Sequence, residues 1–249
     1  MKPIEKNKKL SVIIIAYNEE KFLPGILQSL RNQTRDNFEV IVVDSNSSDK
    51  TESIAQEWAS EFREFTYLKL DAVRGPAYGR NKGAEAAKYE RLVFFDADTS
   101  VNTNFIELID AEITKKNLDV ATCPIRILEG GLSSRFAAFF LNSSMILLRP
   151  VYSSGYGACF ISTRAAHQFV NGFDEEIGLC EDCNYIKKAR RNKTFSYGIL
   201  SPCFYTSNRR AASDGEVRFM LRYIKIHLYR MLTGKEIRKD TIVYNYGNF

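Results

Sequence analysis

An α/β domain with a mostly parallel central sheet, helices on both faces, is what this sequence predicts, and three observations carry the prediction. Apolar runs of strand length alternate with segments of helical periodicity over the first hundred residues. The strand-like runs are apolar on both faces, as in a sheet covered on both sides with right-handed crossovers. The 249 residues are 45% hydrophobic with 14 Gly and 6 Pro. That is enough apolar material for one sizeable core, and too little Gly and Pro for a collagen-like or low-complexity chain.

The elements follow in order. Ser11–Tyr17 is a β-branched run and reads as the first strand. Residues 20–30 place Phe22, Leu23, Ile26, Leu27 and Leu30 at helical spacing. EVIVVD at 39–44 is the second strand, and 49–59 a helix with Ile54, Ala55, Trp58 and Ala59 on one face. Residues 65–70 are a third strand, the Ala-rich 77–87 a helix and 91–95 a fourth strand. The rhythm then loosens. A helix is expected over 104–116 and a strand over 119–128, placed at a sheet edge because Pro124 lies inside it. Short elements follow: strand 158–162, helix 164–170, helix 182–191 and strand 194–200. A long helix is expected over 217–232.

FAAFFLNSSMILL at 136–148 is about two-thirds of the roughly 20 residues that cross a bilayer, and Asn142, Ser143 and Ser144 interrupt it. It reads as a buried or interfacial helix. No signal peptide is expected, since Asn18, Glu19 and Glu20 follow the first apolar run without a small-residue cleavage site. Five scattered cysteines suggest reduced thiols and a cytoplasmic chain. Cys180 and Cys183 have the spacing of redox and zinc sites, but with no second pair or sequence-adjacent His they are taken as packing residues.

The net charge of +5 is unevenly placed. Residues 187–239 carry 14 Lys and Arg against 3 Asp and Glu, a net +11, leaving −6 for the rest. Two units are expected: residues 1–213 as the α/β domain, and residues 214–249 as a basic amphipathic helix and tail packed on or beside it. Arg218, Arg222 and Lys225 line one side of that helix. It suits an anionic membrane surface, or else a solvated basic face on a domain-packed helix. A nucleic-acid partner is disfavoured, because acids at the strand ends would repel phosphates.

Ligands of open α/β sheets bind beyond the carboxyl ends of the strands. Here those ends read Tyr17-Asn18-Glu19, Asp44-Ser45-Asn46-Ser47-Ser48-Asp49 and Asp96-Ala97-Asp98-Thr99. Capping accounts for Asp49 and Ser47, but not for Asp44 at the end of a buried strand. Asp96 and Asp98 would repel each other unless a cation lies near, and oxygen-only ligands favour Mg²⁺ or Mn²⁺. Neither a G-x-G-x-x-G nor a P-loop motif is present, so dinucleotide-binding and P-loop chemistry are disfavoured. Arg74-Gly75-Pro76-Ala77-Tyr78-Gly79-Arg80 opens a helix and carries two cations suited to phosphate, or is an ordinary loop-to-helix turn.

SVIIIAYNEE, EVIVVDSNSSDKT, RGPAYGRNKGAEAA, LVFFDADT, GACFISTRAAHQFVNGFDE and Cys180-Glu181-Asp182 occur in the order found in family 2 glycosyltransferases. Over roughly residues 10–210 the chain resembles that family. The resemblance implies a GT-A fold, a nucleoside-diphosphate sugar donor with UDP favoured, a Mg²⁺ or Mn²⁺ ion, and inversion at the anomeric carbon. By position, Tyr17, Glu19 and Asp44 resemble the base and ribose pocket, with Ala16 where the family often has Pro. Arg74 and Arg80 resemble residues along the diphosphate. Asp96 would touch ribose or metal, and Asp98 would bind the metal. The GACF strand and Gly172-Phe173-Asp174-Glu175 resemble the floor of the sugar and acceptor site. Asp182, in the pair with Glu181, resembles the catalytic base.

The Gln-x-x-Arg-Trp signature of processive synthases is absent, which implies transfer of a single sugar. The acceptor hydroxyl or phosphate is expected on a glycan or a lipid-linked molecule, with Arg209 and Arg210 available for an acceptor phosphate. His227 is a candidate to complete the metal shell and His167 is expected to be exposed. Peripheral contact with the inner face of the cytoplasmic membrane is the matching location. The alternatives are a sugar nucleotidyltransferase, disfavoured by the acidic Ala16–Glu20 segment after the first strand, and an inactive nucleotide-sugar-binding relative.

Overall fold

The computed structural model describes residues 9–127, 131–209 and 215–239. Strands β1 (Leu10–Ala16), β2 (Phe38–Asp44), β3 (Phe65–Lys69) and β4 (Arg91–Asp96) alternate with helices α1 (Leu23–Arg31), α2 (Thr51–Trp58) and α3 (Pro76–Ala86), as the sequence predicts. Further along come β5 (Thr99–Ser100), α4 (Phe105–Lys116), β6 (Val120–Thr122), β7 (Ile125–Ile127), α5 (Leu132–Leu148), β8 (Cys159–Thr163), α6 (Arg164–Val170), β9 (Ile177–Leu179), α7 (Glu181–Arg190), β10 (Tyr197–Ile199), β11 (Phe204–Thr206), α8 (Glu216–Thr233) and β12 (Ile237–Arg238).

Seven strands form the main sheet in the order β10-β6-β8-β4-β1-β2-β3. Only β8 runs antiparallel to its neighbours. The period-2 alternation of strand side chains splits each central strand between two cores. Val12, Ile14, Val40, Val42, Val93 and Phe95 face one core, with Leu23, Ile26 and Leu27 of α1 and Phe105, Ile106 and Ile109 of α4. Ile13, Ile41, Val43, Leu92 and Phe94 face the other, with Ala77 and Ala84 of α3 and Tyr185, Ile186 and Ala189 of α7. Burial on both faces is why these strands read as continuous apolar runs rather than alternating ones.

The expected strand over 119–128 is two strands in two sheets, and Leu128 lies outside the described residues. Pro124 has no N–H to give a ladder, so the chain breaks there. Contrary to the edge placement, β6 lies inside the main sheet, between β10 and β8. β7 instead joins a small sheet, parallel to β11, which pairs antiparallel with β5. A third pairing, β12 with β9, brings the end of the described chain back beside the entry to α7.

The 136–148 segment is part of α5 and lies at the surface. Ala138 and Met145 are buried, while Phe136, Phe139 and Leu147 are 66%, 70% and 76% exposed, so the segment is not the fully buried helix that was one expectation. α8 packs against α5 and also exposes Leu221, Leu228 and Leu232. No helix among the described residues is long and apolar enough to cross a membrane. The expected unit boundary at 213/214 falls outside the described residues.

Candidate active site

Strand order places the site. The chain runs from β1 outward through β2 to β3, then returns to place β4 on the other side of β1. Such a reversal leaves a crevice beyond the carboxyl ends of the two strands. The register aligns Ala16 with Asp44 and Ile15 with Asp96 along that edge. A cavity of about 450 Å³ lies there, lined by Ala16, Tyr17 and Glu19, by Arg80, by Asp96 and Asp98, and by Glu181 and Asp182.

Arg80 joins its two halves. Its guanidinium, 2% exposed, donates from Nη2 to Asp96 Oδ1 at 2.8 Å and from Nη1 to Glu181 Oε1 at 2.5 Å. It also stands over the Phe173 ring, 5.4 Å from the centroid. Burial opposes its charge, yet Asp96, Glu181 and Asp182 outweigh burial and hold it protonated. Its Nε has no hydrogen-bond partner among the described residues, a cost of about 1–3 kcal/mol that the ion pairs offset. Asn81, next on α3, clamps the Gly172–Glu175 loop by donating from Nδ2 to Phe173 O and Glu175 Oε1 and accepting from Phe173 N–H. That loop therefore stands behind the site, while Gly157 and Ala158 line the cavity.

Asp182 sits in the first turn of α7, 9% exposed. Its Oδ2 accepts from the Gly157 N–H at 2.6 Å, and its Oδ1 from the Cys183 N–H at 2.6 Å. Burial first, and then the charge of Glu181, push its pKa up to about 6, against the opposing pull of Arg80 and the Cys183 N–H. A carboxylate held this way is ionised near neutrality and basic enough to take a proton.

On the other side, Arg209 donates from Nε to Asp98 Oδ2 at 3.1 Å and grips Glu19 with both terminal nitrogens. Ser207 donates its hydroxyl to the same Asp98 oxygen at 3.1 Å. The small sheet explains this, since Thr206 pairs with Thr99 and the chain after β11 is laid beside Asp98. Arg209, expected on an acceptor phosphate, therefore stands with the acids that the resemblance assigns to donor and metal. The donor set fits a hard divalent cation, with two carboxylates on one cavity wall and oxygen ligands only.

Other expected residues fall elsewhere. Asp44 is wholly buried behind the cavity wall, and its oxygens accept from the Ser47 N–H and hydroxyl and from the Tyr67 hydroxyl. Arg74 does not line the cavity. Its side chain is half exposed, 3.7 Å from Asp71 and stacked on Tyr78. The helical half of the Gly-containing segment delivers Arg80, while before it Val73 and Gly75 line the cavity and the Arg74 side chain does not. Arg210 lies outside the described residues. His167 is packed among Phe94, Phe173 and Tyr185 rather than exposed, and burial, followed by Arg164, lowers its pKa to about 4. His227 bonds Tyr152 and sits with Cys180 and Cys183. Gly157 belongs to the GACF strand expected at the site floor, whereas sequence reasoning missed Ser207 and the apolar lining from α5 and α8, including Phe140, Leu141, Met145, Ile224 and Leu228. The CFYTSNRR stretch, a strand-like triplet before polar residues, was the available signal for Ser207.

Residues 11–161 match the family model Glycosyl transferase family 2. The chain is 26% identical over 210 residues to poly(ribitol-phosphate) beta-N-acetylglucosaminyltransferase TarS of Staphylococcus aureus, covering 81% of this chain and 36% of that one. It is 28% identical over 122 residues to the cholesterol galactosyltransferase of Borreliella burgdorferi, covering 48% of this chain and 33% of that one. This chain thus spans about a third of the length of these curated relatives. Among solved structures, TarS residues 1–349 in complex with UDP-GlcNAc superpose with a TM-score of 0.65 at 24% identity, covering 89% and 66% of the two chains. The mannosyltransferase PcManGT of Pyrobaculum calidifontis, in complex with GDP-Man and Mn²⁺, gives 0.73 at 18%, covering 96% and 68%. The GT-A-like sheet, the ordered strand-end acids and the family match over more than half of the chain lead to one conclusion: this protein belongs to glycosyl transferase family 2.

Proposed function

We propose that this protein moves a single sugar from a nucleoside-diphosphate sugar, UDP favoured, to an acceptor hydroxyl or phosphate with inversion at C1, and that Asp182 is the base. The observation that carries this is Asp182 itself. It is a buried acid with its pKa raised to about 6, on the wall of the cavity that holds Asp96 and Asp98. Glu181 and Arg80 connect it to Asp96.

The step balances within the cavity. Asp182 takes the proton of the acceptor O–H, and the acceptor oxygen forms the new bond to C1. The bond from C1 to the diphosphate oxygen breaks, and its electron pair leaves with the nucleoside diphosphate. Arg80 and Arg209 place positive charge near the departing diphosphate, where preorganised charge lowers the barrier most. Asp96 and Asp98 would hold a Mg²⁺ or Mn²⁺ ion, which would neutralise charge developing on the diphosphate. Tyr17, Ala16 and Glu19 form the donor side, with Asp44 bracing Ser47 and Tyr67 behind it. Support for the donor comes from the TarS and PcManGT complexes, which share this fold.

The acceptor half of the cavity is apolar. α5 and α8 supply Phe140, Leu141, Met145, Met220, Ile224 and Leu228. A sugar alone offers little to such a wall, whereas a lipid-linked acceptor does. One relative carries the name cholesterol galactosyltransferase, which is in keeping with an apolar acceptor. Exposed apolar side chains on the same two helices, with Arg218 and Lys225, would bring the site to the inner face of an anionic membrane.

Asp182→Asn tests the assignment. Donor binding by calorimetry is expected to stay within a few-fold of wild type, while turnover falls by about 10³-fold, the middle of the range for general base removal. Turnover like wild type refutes the base. Loss of donor binding together with turnover refutes the placement of donor and base as separate parts of the cavity.

A further inference from the structure

Cys180, Cys183 and His227 are left over by the proposed reaction, and the fold brings them together. Cys180 caps α7 in the left-handed region, at φ +66°, and Cys183 lies one turn in and is buried. This puts both sulfurs on one side of the helix start. His227 arrives from α8, 44 positions further along the chain. The two sulfurs and an imidazole nitrogen all lie within 4.8 Å of one another.

We propose that Cys180, Cys183 and His227 bind one zinc-class cation, which fastens α8 to the start of α7. Two thiolates and an imidazole are a soft donor set, the opposite of the oxygen-only set at Asp96 and Asp98. Zn–S and Zn–N bonds of about 2.3 and 2.0 Å put tetrahedral donors roughly 3.5–3.8 Å apart, so a contraction of about 1 Å closes the site. The ring of His227 is already oriented. Its Nδ1 meets the Tyr152 hydroxyl at 2.9 Å, Tyr152 accepts from Arg230 Nη1 at 2.6 Å, and Arg230 pairs with Glu236. With Nδ1–H given to Tyr152, Nε2 offers the lone pair, the arrangement in which an outer hydrogen bond fixes a metal-bound imidazole. Binding displaces two thiol protons, and the resulting charges, two thiolates against a dication, cancel beside Arg230. All three ligands line the cavity, so the fourth position opens to its solvent.

The test uses the full chain, stripped with a chelator and kept reduced by a phosphine, then titrated with Co²⁺. One equivalent is expected to bind with a thiolate-to-cobalt charge-transfer band and the intense visible bands of a tetrahedral site. Zn²⁺ should displace it and raise the melting temperature. Co²⁺ at Asp96 and Asp98 gives neither signature, so the two sites are told apart without an activity measurement. Cys183→Ser and His227→Gln, each confirmed folded by circular dichroism, should weaken Co²⁺ binding more than tenfold. Tyr152→Phe should weaken it by about 10–100-fold. A reduced, folded wild type that shows no charge-transfer band overturns the proposal. So does a band that His227→Gln or Cys183→Ser leaves unchanged, since it would then arise from other thiols.

Discussion

Arg80 sets what single residues can do here. One guanidinium neutralises both Asp96 and Glu181, and Gly157 leaves it the space. A Cβ on Gly157 would stand 2.8 Å from Arg80 Nη2. Asp96 holds that nitrogen and Glu181 holds Nη1, so the guanidinium cannot swing away as a free side chain would. Gly157→Ala is expected to cost about 1–3 kcal/mol of stability, as overpacking does. Because the same atoms position the proposed base, kcat should fall by about 10–100-fold, and melting curves with steady-state kinetics read both effects. Asp182 supplies a pH prediction. With Asp182 as the proposed base, transfer needs its ionised form, so kcat/KM should fall tenfold per unit as pH drops below about 6 and level off above it, in protein whose cysteine–histidine cluster holds no ion. The linkage to stability has the opposite sense. A carboxyl whose folded pKa lies above its ordinary value of 3.8 destabilises the fold above about 6, and that cost is relieved as pH falls from 6 toward 3.8. An acid limb near 4 would remove the raised pKa from the mechanism. That Asp96, Asp98 and Asp182 share one cavity was legible because their motifs sit at strand and helix ends. Arg74 was misplaced because spacing alone cannot say which side of a helix start faces the ligand.

At the scale of elements, the pattern of apolar residues settled what buries and left open what pairs. The first four strands and three helices were legible because each has a full period of apolar residues against a core. The two-residue and three-residue strands β5, β9, β11 and β12 were not, and β7 was read only as part of one strand with β6, since runs that short carry no period. Yet β5, β7 and β11 lay Ser207 and Arg209 against Asp98, so the least legible elements complete the site. α5 is tied to this small sheet by one side chain. Asn142 accepts from the Ile125 N–H at 3.0 Å and donates to the Ile125 carbonyl at 2.9 Å, so it pairs with β7 as a neighbouring strand would. This accounts for the polar interruption in an otherwise apolar helix. Asn142→Ala leaves two backbone groups of β7 without their partner. The expected loss is about 1–3 kcal/mol, with earlier proteolysis near α5 than elsewhere in the domain. Unchanged melting and an unchanged cleavage pattern would show that α5 is held by its apolar contacts alone.

For the whole molecule, the uneven charge and the exposed apolar residues meet on the same two helices. α5 and α8 border the apolar half of the cavity and also expose Phe136, Phe139 and Leu147 on one, and Leu221, Leu228 and Leu232 on the other. Isolated exposed leucines are ordinary, but this many on two adjoining helices is the composition of an interaction face. Arg218 and Lys225, exposed on α8, add the charge that an anionic surface attracts, each worth about 1 kcal/mol close to the bilayer. Flotation with vesicles containing anionic lipid should therefore recover the protein at low salt and lose it as salt rises, since screening shortens the reach of those charges. Phe139→Ser with Leu147→Ser removes apolar insertion, and Arg218→Glu with Lys225→Glu removes attraction. Each pair should reduce vesicle binding by at least tenfold while leaving donor binding intact, because none of the four side chains lines the cavity. Recovery that is indifferent to lipid charge would leave the apolar face without its electrostatic partner. No recovery at low salt would assign that face to a protein instead, and the acceptor would then have to reach the cavity without a bilayer.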